Sequence, residues 1–325
     1  DYPDSPHSAY TKLKGDLPVG GLVDGPIYLE LFKDRAGNAL TKEDKYALFN
    51  SGKAVYHDDI GDYASNEPTM DGTAGLTYYF SSMESEGKTY AKSAGDKVNF
   101  ERDPYGAIIR INPDKKVIYL IFSADSMFQG GEKILKTLDK YKIKGSFFFT
   151  GNFLRMEEER EIIAKIIKRG HYVGGHSDRH LLYAEWDGKR KSLVTQDSLV
   201  SDLQKNFEEL SKYGVYSSDA KWFLPPFEHY NAESVEVLSR AGVQTVNYTP
   251  GTATPADYTT PEMKNYKTAE GLIDKLFAFE KEKGLNGAII LIHPGVSDSR
   301  PDKLYDQLGT IIKRLKGLGY SFDRL

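Results

Sequence analysis

Residues 117–150 read VIYLIFSADSMFQGGEKILKTLDKYKIKGSFFFT and carry a strand–helix–strand pattern. Val117–Phe122 is an unbroken apolar run typical of a buried strand, and Gly145–Thr150 is a second run of the same kind. Between them, Gly131–Tyr141 has the spacing of an amphipathic helix. Two apolar strands joined by a helix predict parallel neighbours in a sheet that helices cover.

The same alternation continues to the C-terminus. We predict helices at 157–168, 192–213, 232–241, 268–283 and 302–318, and strands at 171–174, 221–224, 243–248, 288–292 and 320–322. This many strand–helix units fits a closed (β/α) barrel.

The first 110 residues lack this alternation. They contain Gly-Gly and Asp-Gly turns, a polar loop and one helix-like stretch at 70–86. We therefore predict a mainly irregular and helical segment over 1–110 that packs on an α/β domain over 111–325.

Composition excludes several classes of protein. The 325 residues carry 43 Lys and Arg against 47 Asp and Glu, a net charge of −4, which argues against a nucleic-acid partner. We expect no membrane span, because the longest apolar run, near 287–293, is only strand-sized. The chain has no cysteine, so disulfides, thiolate nucleophiles and Cys-built zinc sites are excluded.

Three of the 7 histidines lie in one stretch, residues 170–180, which reads GHYVGGHSDRH. His176 and His180 are four apart, a spacing that places both imidazoles on the same side of one helical turn and within reach of a single cation. The pair follows a Gly-rich strand end, where α/β barrels place their active sites.

Two imidazoles need a third ligand, and without cysteine it should be a carboxylate. Asp125 follows the C-terminal end of the first clear strand. Two histidines, one carboxylate and an open position predict a catalytic zinc-type site with an acidified water. The same ligands suit iron(II), so they do not fix the metal.

These residues lie in a region, about 115–325, that resembles the metal-dependent polysaccharide deacetylases of the NodB-homology type. The family's His-Ser/Thr-x-x-His motif stands here as residues 176–180, HSDRH. Its Arg-Pro-Pro-Tyr/Phe-Gly motif corresponds to 224–228, LPPFE, and its Leu-x-His motif to 291–293, LIH. The resemblance implies a distorted or regular (β/α) barrel of the polysaccharide-deacetylase type and one divalent metal, with zinc first and nickel, cobalt or iron as alternatives.

The family's Thr-Phe-Asp-Asp motif is represented by residues 122–125, FSAD. Counting from the start of the strand at Lys116 places Ser123 and Ala124 at the two acidic positions. Counting back 22 residues from Phe147 selects Asp125 as the metal ligand and leaves Ala124 at the position of the general base. We prefer the second count because it gives the metal a carboxylate, together with His176 and His180.

The resemblance also implies further roles. The family's base-orienting arginine is Leu224 here, so the base and its partner are lost together. His293 corresponds to the general acid, and Asp257-Tyr258 is loosely similar to the family's acid-tuning Asp-Trp. Glu228 follows the Pro-Pro turn and is our candidate to relay a proton in place of the base. Candidate substrate contacts are Pro226, Phe227 and Tyr258.

Residues 1–90 resemble the C-terminal end of a family-nine glycoside hydrolase, most specifically in Asp62–Glu67, DYASNE. In that family the glutamate is the general acid, and the reaction needs a second carboxylate across the bond. We expect Glu67 to be idle in this chain, which would then release no reducing sugar from β-glucan.

Three hypotheses for function follow. The leading one is metal-dependent removal of N-acetyl or O-acetyl groups from a glycan. The competing one is a glycan-binding module that keeps the metal site without turnover. An iron oxygenase on the same ligands is disfavoured because such enzymes usually use a double-stranded β-helix. The glycan-processing resemblance also leads us to expect an exported protein, periplasmic, cell-surface or extracellular, whose signal segment is not in this sequence.

Overall fold

The computed structural model describes residues 3–15, 22–35, 39–48, 50–69, 73 and 98–325. Contacts divide the chain into two compact units, Asp1–Lys97 and Val98–Leu325. The division falls before the boundary predicted after residue 110. A hairpin over residues 100–111 forms bridges to Val246 and Ala288 and therefore belongs to the second unit.

The described part of the first unit contains short elements. They are α1 (Ala9–Lys14), β1 (Ile27–Tyr28), α2 (Leu29–Asp34) and β2 (Ala54–Val55), with β1 antiparallel to β2. The helix predicted at 70–86 lies, apart from Thr73, outside the described residues.

Buried aspartates hold one turn of the first unit. Asp62 accepts hydrogen bonds from His57 Nδ1 at 2.7 Å and from the Ser65 hydroxyl at 2.5 Å. The Asp59 carboxylate accepts a hydrogen bond from the Thr41 hydroxyl and others from nearby backbone amides. These carboxylates stabilise the local chain direction, whereas Glu67 is exposed.

The second unit alternates strands and helices. The strands are β3 (Phe100–Arg102), β4 (Ile108–Ile111), β5 (Val117–Ala124), β6 (Ser146–Phe149), β7 (Tyr172–Gly175), β8 (Trp222–Phe223), β9 (Gln244–Thr245), β10 (Ile289–Leu291) and β11 (Ser321–Asp323). The α-helices are α3 (Gly131–Tyr141), α4 (Gly151–Leu154), α5 (Arg160–Lys168), α6 (Gln196–Ser211), α7 (Ala232–Arg240), α8 (Ala269–Lys283) and α9 (Leu308–Gly317).

The main sheet is parallel, in the order β10-β5-β6-β7-β8-β9, and β11 also pairs with β5. The antiparallel hairpin of β3 and β4 spans the gap between the sheet's two ends, because bridges join Ile108 to Val246 and Arg110 to Ala288. The result is a distorted (β/α) barrel, which confirms the predicted fold class.

The two faces of β5 show how the barrel is filled. Leu120, Phe122 and Ala124 belong to the large apolar cluster that contains the helices' buried residues. Tyr119 and Ile121 belong to a second cluster, with side chains of β6, β7 and β10. Because successive strand side chains point to opposite faces, the sheet is apolar on both sides, as parallel sheets require.

Most element boundaries follow the predictions, and the exceptions have local causes. The helix predicted at 192–213 begins at Gln196 because the Thr195 side chain accepts a hydrogen bond from the Ser198 amide and caps it. The strand predicted at 243–248 is only Gln244–Thr245, since Val246 then pairs with the hairpin. Within the described residues, no helix is both long and apolar enough to cross a membrane.

Candidate active site

The carboxyl ends of the parallel strands carry the polar residues of the site. Asp125 follows β5, Thr150 follows β6, and His176 follows β7. Glu228 lies beyond β8, and His293 lies two residues after β10. Parallel strands end at one edge of the sheet, so these side chains share the region where such barrels build active sites.

His176 and His180 come together through a loop, not a helical turn, so the helical reasoning behind their pairing was wrong. Their ring centroids lie 5.0 Å apart with an interplanar angle of 60°. The chain reverses between them because Ser177 and His180 adopt left-handed backbone angles, with φ of 76° and 56°. Such angles are costly for residues other than glycine, so the surrounding structure must hold the loop.

Both imidazoles are held in the neutral form. The backbone oxygen of Leu224 lies 2.7 Å from His176 Nδ1 and can accept only if that nitrogen carries the proton. Burial lowers the pKa of His176 well below its ordinary value, and the neighbouring His180 adds to this. Burial likewise lowers the pKa of His180, although the charge of Asp125 opposes the shift. Neutral imidazole is the form that binds metal ions.

Asp125 faces the same site. Its Oδ1 accepts hydrogen bonds from the Thr150 hydroxyl and from Asn152 Nδ2, both at 3.0 Å. Ala124 lies in the apolar cluster beneath the helices, whereas alternation along β5 turns Ser123 to the face opposite Ala124. An acidic group at 124 would therefore enter this apolar cluster, while one at 123 would lie on the opposite face of the strand.

The donor set fits a divalent metal ion chemically. Two neutral imidazoles and a carboxylate are the ligands of many catalytic zinc and iron(II) sites. In the described part of the chain, no three His, Asp or Glu side chains surround a common metal position. The rings of His176 and His180 are adjacent, and Asp125 is close enough to His180 for its charge to oppose the lowering of the His180 pKa by burial.

His293 is paired with Asp257. Its Nδ1 lies 2.5 Å from Asp257 Oδ1, and its backbone amide donates to Asp257 Oδ2 at 2.9 Å. Burial alone would lower the pKa of His293, but the charge of Asp257, the hydrogen bond to it and the charge of Glu228 together raise that pKa to about 9. The ring is therefore a cation near neutral pH, able to donate a proton from Nε2.

The Leu224–Glu228 segment brings a carboxyl group to the site through a strained turn. Phe227 and Glu228 both have left-handed backbone angles, with φ of 58° and 52°. The Asn247 side chain donates to the Glu228 carbonyl at 3.2 Å and fixes this geometry. Burial raises the pKa of Glu228 to about 7, although His293 opposes the shift. Leu224 is fully buried and apolar, so this segment supplies no cation.

Aromatic side chains line the edge of the site. Phe227 is 44% exposed and packs on His180 with centroids 4.3 Å apart, and Tyr258 is 51% exposed beside His293. Trp186, which the sequence reasoning missed, is 64% exposed and stacks on His229 at 4.1 Å. Pro226, also predicted to contact substrate, is buried and offers little surface. We name Phe227, Tyr258 and Trp186 the aromatic rim.

Two other residues of the site were only partly visible in the sequence. In the sequence, Asp257 is loosely similar to the aspartate that tunes the family's general acid, but only the structure shows its contact with His293. Asn152 reaches Asp125 from the first turn of α4, and no motif in the sequence marks this exposed residue.

The chain is similar to known proteins in sequence and in fold. Residues 110–246 match the family model described as Polysaccharide deacetylase. The peptidoglycan-N-acetylmuramic acid deacetylase PdaA of Bacillus subtilis (strain 168) is 26% identical over 234 residues, which are 71% of this chain and 78% of PdaA. The structure of PdaA has a TM-score of 0.51 at 23% identity and covers 70% of this chain and 93% of PdaA.

A second solved relative is a family 4 carbohydrate esterase pseudoenzyme from Bacillus anthracis. Its TM-score is 0.53 at 22% identity, covering 69% of this chain and 68% of the other. A mutant of that protein described as having restored enzymatic activity has a TM-score of 0.54. At these identities the structural likeness shows a shared fold.

Proposed function

Because the chain carries a polysaccharide deacetylase domain, we propose that it removes acetyl groups from an acetylated glycan by metal-dependent hydrolysis. The observation that carries the proposal is the contact of His293 with Asp257, 2.5 Å from Nδ1 to Oδ1, at the same strand ends as the adjacent rings of His176 and His180. A proton donor near two uncharged imidazole ligands is the arrangement that acyl hydrolysis needs.

Asp125, His176 and His180 would hold the metal ion, with zinc first and nickel, cobalt or iron as alternatives. When bound, such an ion polarises a carbonyl oxygen and acidifies water. The hydrogen bond from His176 Nδ1 to the Leu224 oxygen fixes the tautomer, so that Nε2 is free to bind. Thr150 and Asn152 both bind Oδ1 of Asp125 and thereby orient its carboxylate.

His293 would protonate the leaving nitrogen or oxygen of the sugar. Asp257 binds both the ring and the backbone amide of His293, so the ring is held in one orientation and kept charged. Glu228 would accept the proton from water, since a pKa of about 7 lets it take and release a proton near neutrality. Glu228 would thus act in place of the family's general base, whose position carries no acidic residue here.

The aromatic rim would bind the sugar rings. Flat exposed rings stack on the apolar faces of sugars. Phe227 lies beside His180, and Tyr258, in a different loop, lies beside His293. PdaA acts on peptidoglycan by name, so an N-acetylated bacterial wall glycan is the first substrate to test. Such a substrate agrees with an exported protein.

A second candidate function is glycan binding without turnover. It is supported by the absence of a charged side chain at Ser123, Ala124 and Leu224, and one relative of similar fold is called a pseudoenzyme. In that function the metal site is kept, and the aromatic rim would stack on the sugar rings.

The experiment measures acetate released from N-acetylated and O-acetylated glycans in the presence of zinc, cobalt or nickel. We expect release that is lost in His176→Ala and in His293→Gln and is unchanged in His7→Ala, which alters the first unit. If the folded protein binds the glycans but releases no acetate with any of these ions, the deacetylase proposal is wrong and the binding function stands.

A further inference from the structure

The loop of His176–His180 is bound along one side by helix α6. Two of its backbone φ angles are left-handed, at Ser177 and His180, so the loop does not hold its shape by local preference. Contacts from outside the loop must therefore compensate for this strain.

Asp202 and Asn206 supply such contacts from α6. They are four residues apart, a spacing that places both on the same face of a helix, and both are buried. Asp202 accepts the backbone amides of Asp178 at 3.0 Å and of Arg179 at 3.1 Å, one with each carboxylate oxygen. One buried carboxylate thus binds two consecutive amides of the loop.

Asn206 binds at the start of the loop. Its Oδ1 accepts the backbone amide of His176 at 3.1 Å, and its Nδ2 donates to the carbonyl of Phe149 at 3.0 Å. The side chain therefore links the ends of β6 and β7. Gly175 allows this approach, since a Cβ there would lie 2.5 Å from Asn206 Oδ1.

We propose that Asp202 and Asn206 are positioning residues that hold His176 and His180 in the arrangement that binds the metal ion. The inference rests on the proposed function, because it assumes that these histidines are ligands. Neither residue touches the substrate. They act through the loop backbone, as outer partners of ligands do when they preset a metal site.

The experiment titrates the metal-free protein with Co²⁺ and follows its visible absorption bands, which report the ligand geometry. The variants are Asp202→Ala, Asp202→Asn and Asn206→Ala. Asp197→Asn is the matched control, because Asp197 lies on the same helix and is exposed. Denaturant unfolding of each metal-free variant measures what the substitution does to folding alone.

We expect Asp202→Ala to raise the Kd for Co²⁺ by about 10- to 100-fold, the usual effect of losing an outer partner of a ligand. The Kd of Asp202→Asn should lie between those of Asp202→Ala and the unaltered protein, since its side-chain carbonyl can keep one of the two hydrogen bonds from the loop amides. Asn206→Ala should weaken Co²⁺ binding as well, and Asp197→Asn should not. The absorption bands of the weakened variants should shift, which a loss of folding stability alone would not produce.

Folded Asp202→Ala and Asn206→Ala variants that bind Co²⁺ with the unaltered Kd and spectrum would overturn this inference and leave the metal-dependent function standing. An unaltered protein that binds no Co²⁺, Zn²⁺ or Ni²⁺ would overturn both. The two failures are therefore distinguishable.

Discussion

Asp257 binds His293 at two points, with one carboxylate oxygen 2.5 Å from the ring Nδ1 and the other 2.9 Å from the backbone amide. A single-point contact would keep the ring charged but leave it free to turn. The second contact fixes the carboxylate relative to the strand end that carries His293. The Nε2–H bond of His293 is therefore held pointing in one direction.

Replacing Asp257 by asparagine should lower the pKa of His293 from about 9 toward its ordinary value, because the larger of the two charges that oppose the effect of burial is removed and only Glu228 remains. The ring protons of His293 in an NMR titration measure this. We expect the rate of acetate release near pH 8 to fall by about 10²-fold, the contribution of a general acid. The control is Asp298→Asn, which changes an exposed aspartate. An unmoved titration of His293 in Asp257→Asn would contradict the assigned pairing.

The pH dependence of deacetylation should be bell-shaped. Glu228 must be ionised to accept a proton, so the rate should rise as the pH increases through about 7. His293 must keep its proton to donate it, so the rate should fall as the pH increases through about 9. Initial rates of acetate release from pH 5 to 10 test both limbs. In Glu228→Gln the acidic limb should disappear and the maximum rate should drop by about 10²-fold. A Glu228→Gln profile identical to the original would remove Glu228 from the mechanism.

An added acidic group should help at position 123 and harm at position 124. Ser123 lies on the face of β5 opposite the large apolar cluster that contains Ala124, so Ser123→Asp together with Leu224→Arg should supply the missing general base and its arginine partner and raise acetate release by about 10²-fold. Ala124→Asp would place a carboxylate among the side chains of that cluster, and we expect it to lower the free energy of unfolding by about 3 kcal/mol. Denaturant unfolding and rates on the two variants decide between the positions. Activation by Ala124→Asp instead would show that the face assignment is wrong.

Gly151 should be intolerant of a side chain. A Cβ there would overlap the carboxylate of Asp178, which also binds Arg155. We expect Gly151→Ala to cost about 1–3 kcal/mol of unfolding free energy, as overpacking does, and to weaken Co²⁺ binding because the overlap displaces the loop between the histidines. Gly188→Ala is the control, since nothing lies within 4 Å of a Cβ at that position. Equal stability of the two variants would refute the close approach.

The aromatic rim should determine substrate affinity more than the rate of chemistry. Replacing Trp186 or Tyr258 by alanine should raise KM by about tenfold and change kcat little, since stacking contributes about 1–1.5 kcal/mol equally before and during reaction. Tyr216→Ala is the matched control, because Tyr216 is also an exposed tyrosine. Steady-state kinetics on a soluble acetylated oligosaccharide give both constants. An unchanged KM for both variants would place the glycan elsewhere.

The sequence predicted the barrel well because its strands are long apolar runs and its helices are amphipathic. The helix Gly131–Tyr141 has the predicted bounds, and β5 ends only two residues beyond its predicted end. The lengths of β8 and β9, which have two residues each, were overestimated, since the residues next to them pair with the hairpin or enter loops.

The site was predictable only where spacing carries chemistry. The pair His176 and His180 could be read from the sequence, although their approach comes from left-handed residues and not from a helix. The partners Asp257, Asp202 and Asn206 contact the histidines or their loop from distant elements, so no local pattern marks them. Their contacts depend on how the barrel brings strand ends and helices together.

The hairpin that bridges the barrel also constrains the order of folding. Ile108 pairs with Val246, and Arg110 pairs with Ala288, although these partners are far apart in sequence. Contacts of such high sequence separation form late, because a long loop must first be closed. In a chain leaving the ribosome, β4 can pair with β3 at once, but Val246 and Ala288 are synthesised much later. We therefore expect barrel closure to come late in folding, so that an interrupted chain would expose the open edges of the sheet to aggregation.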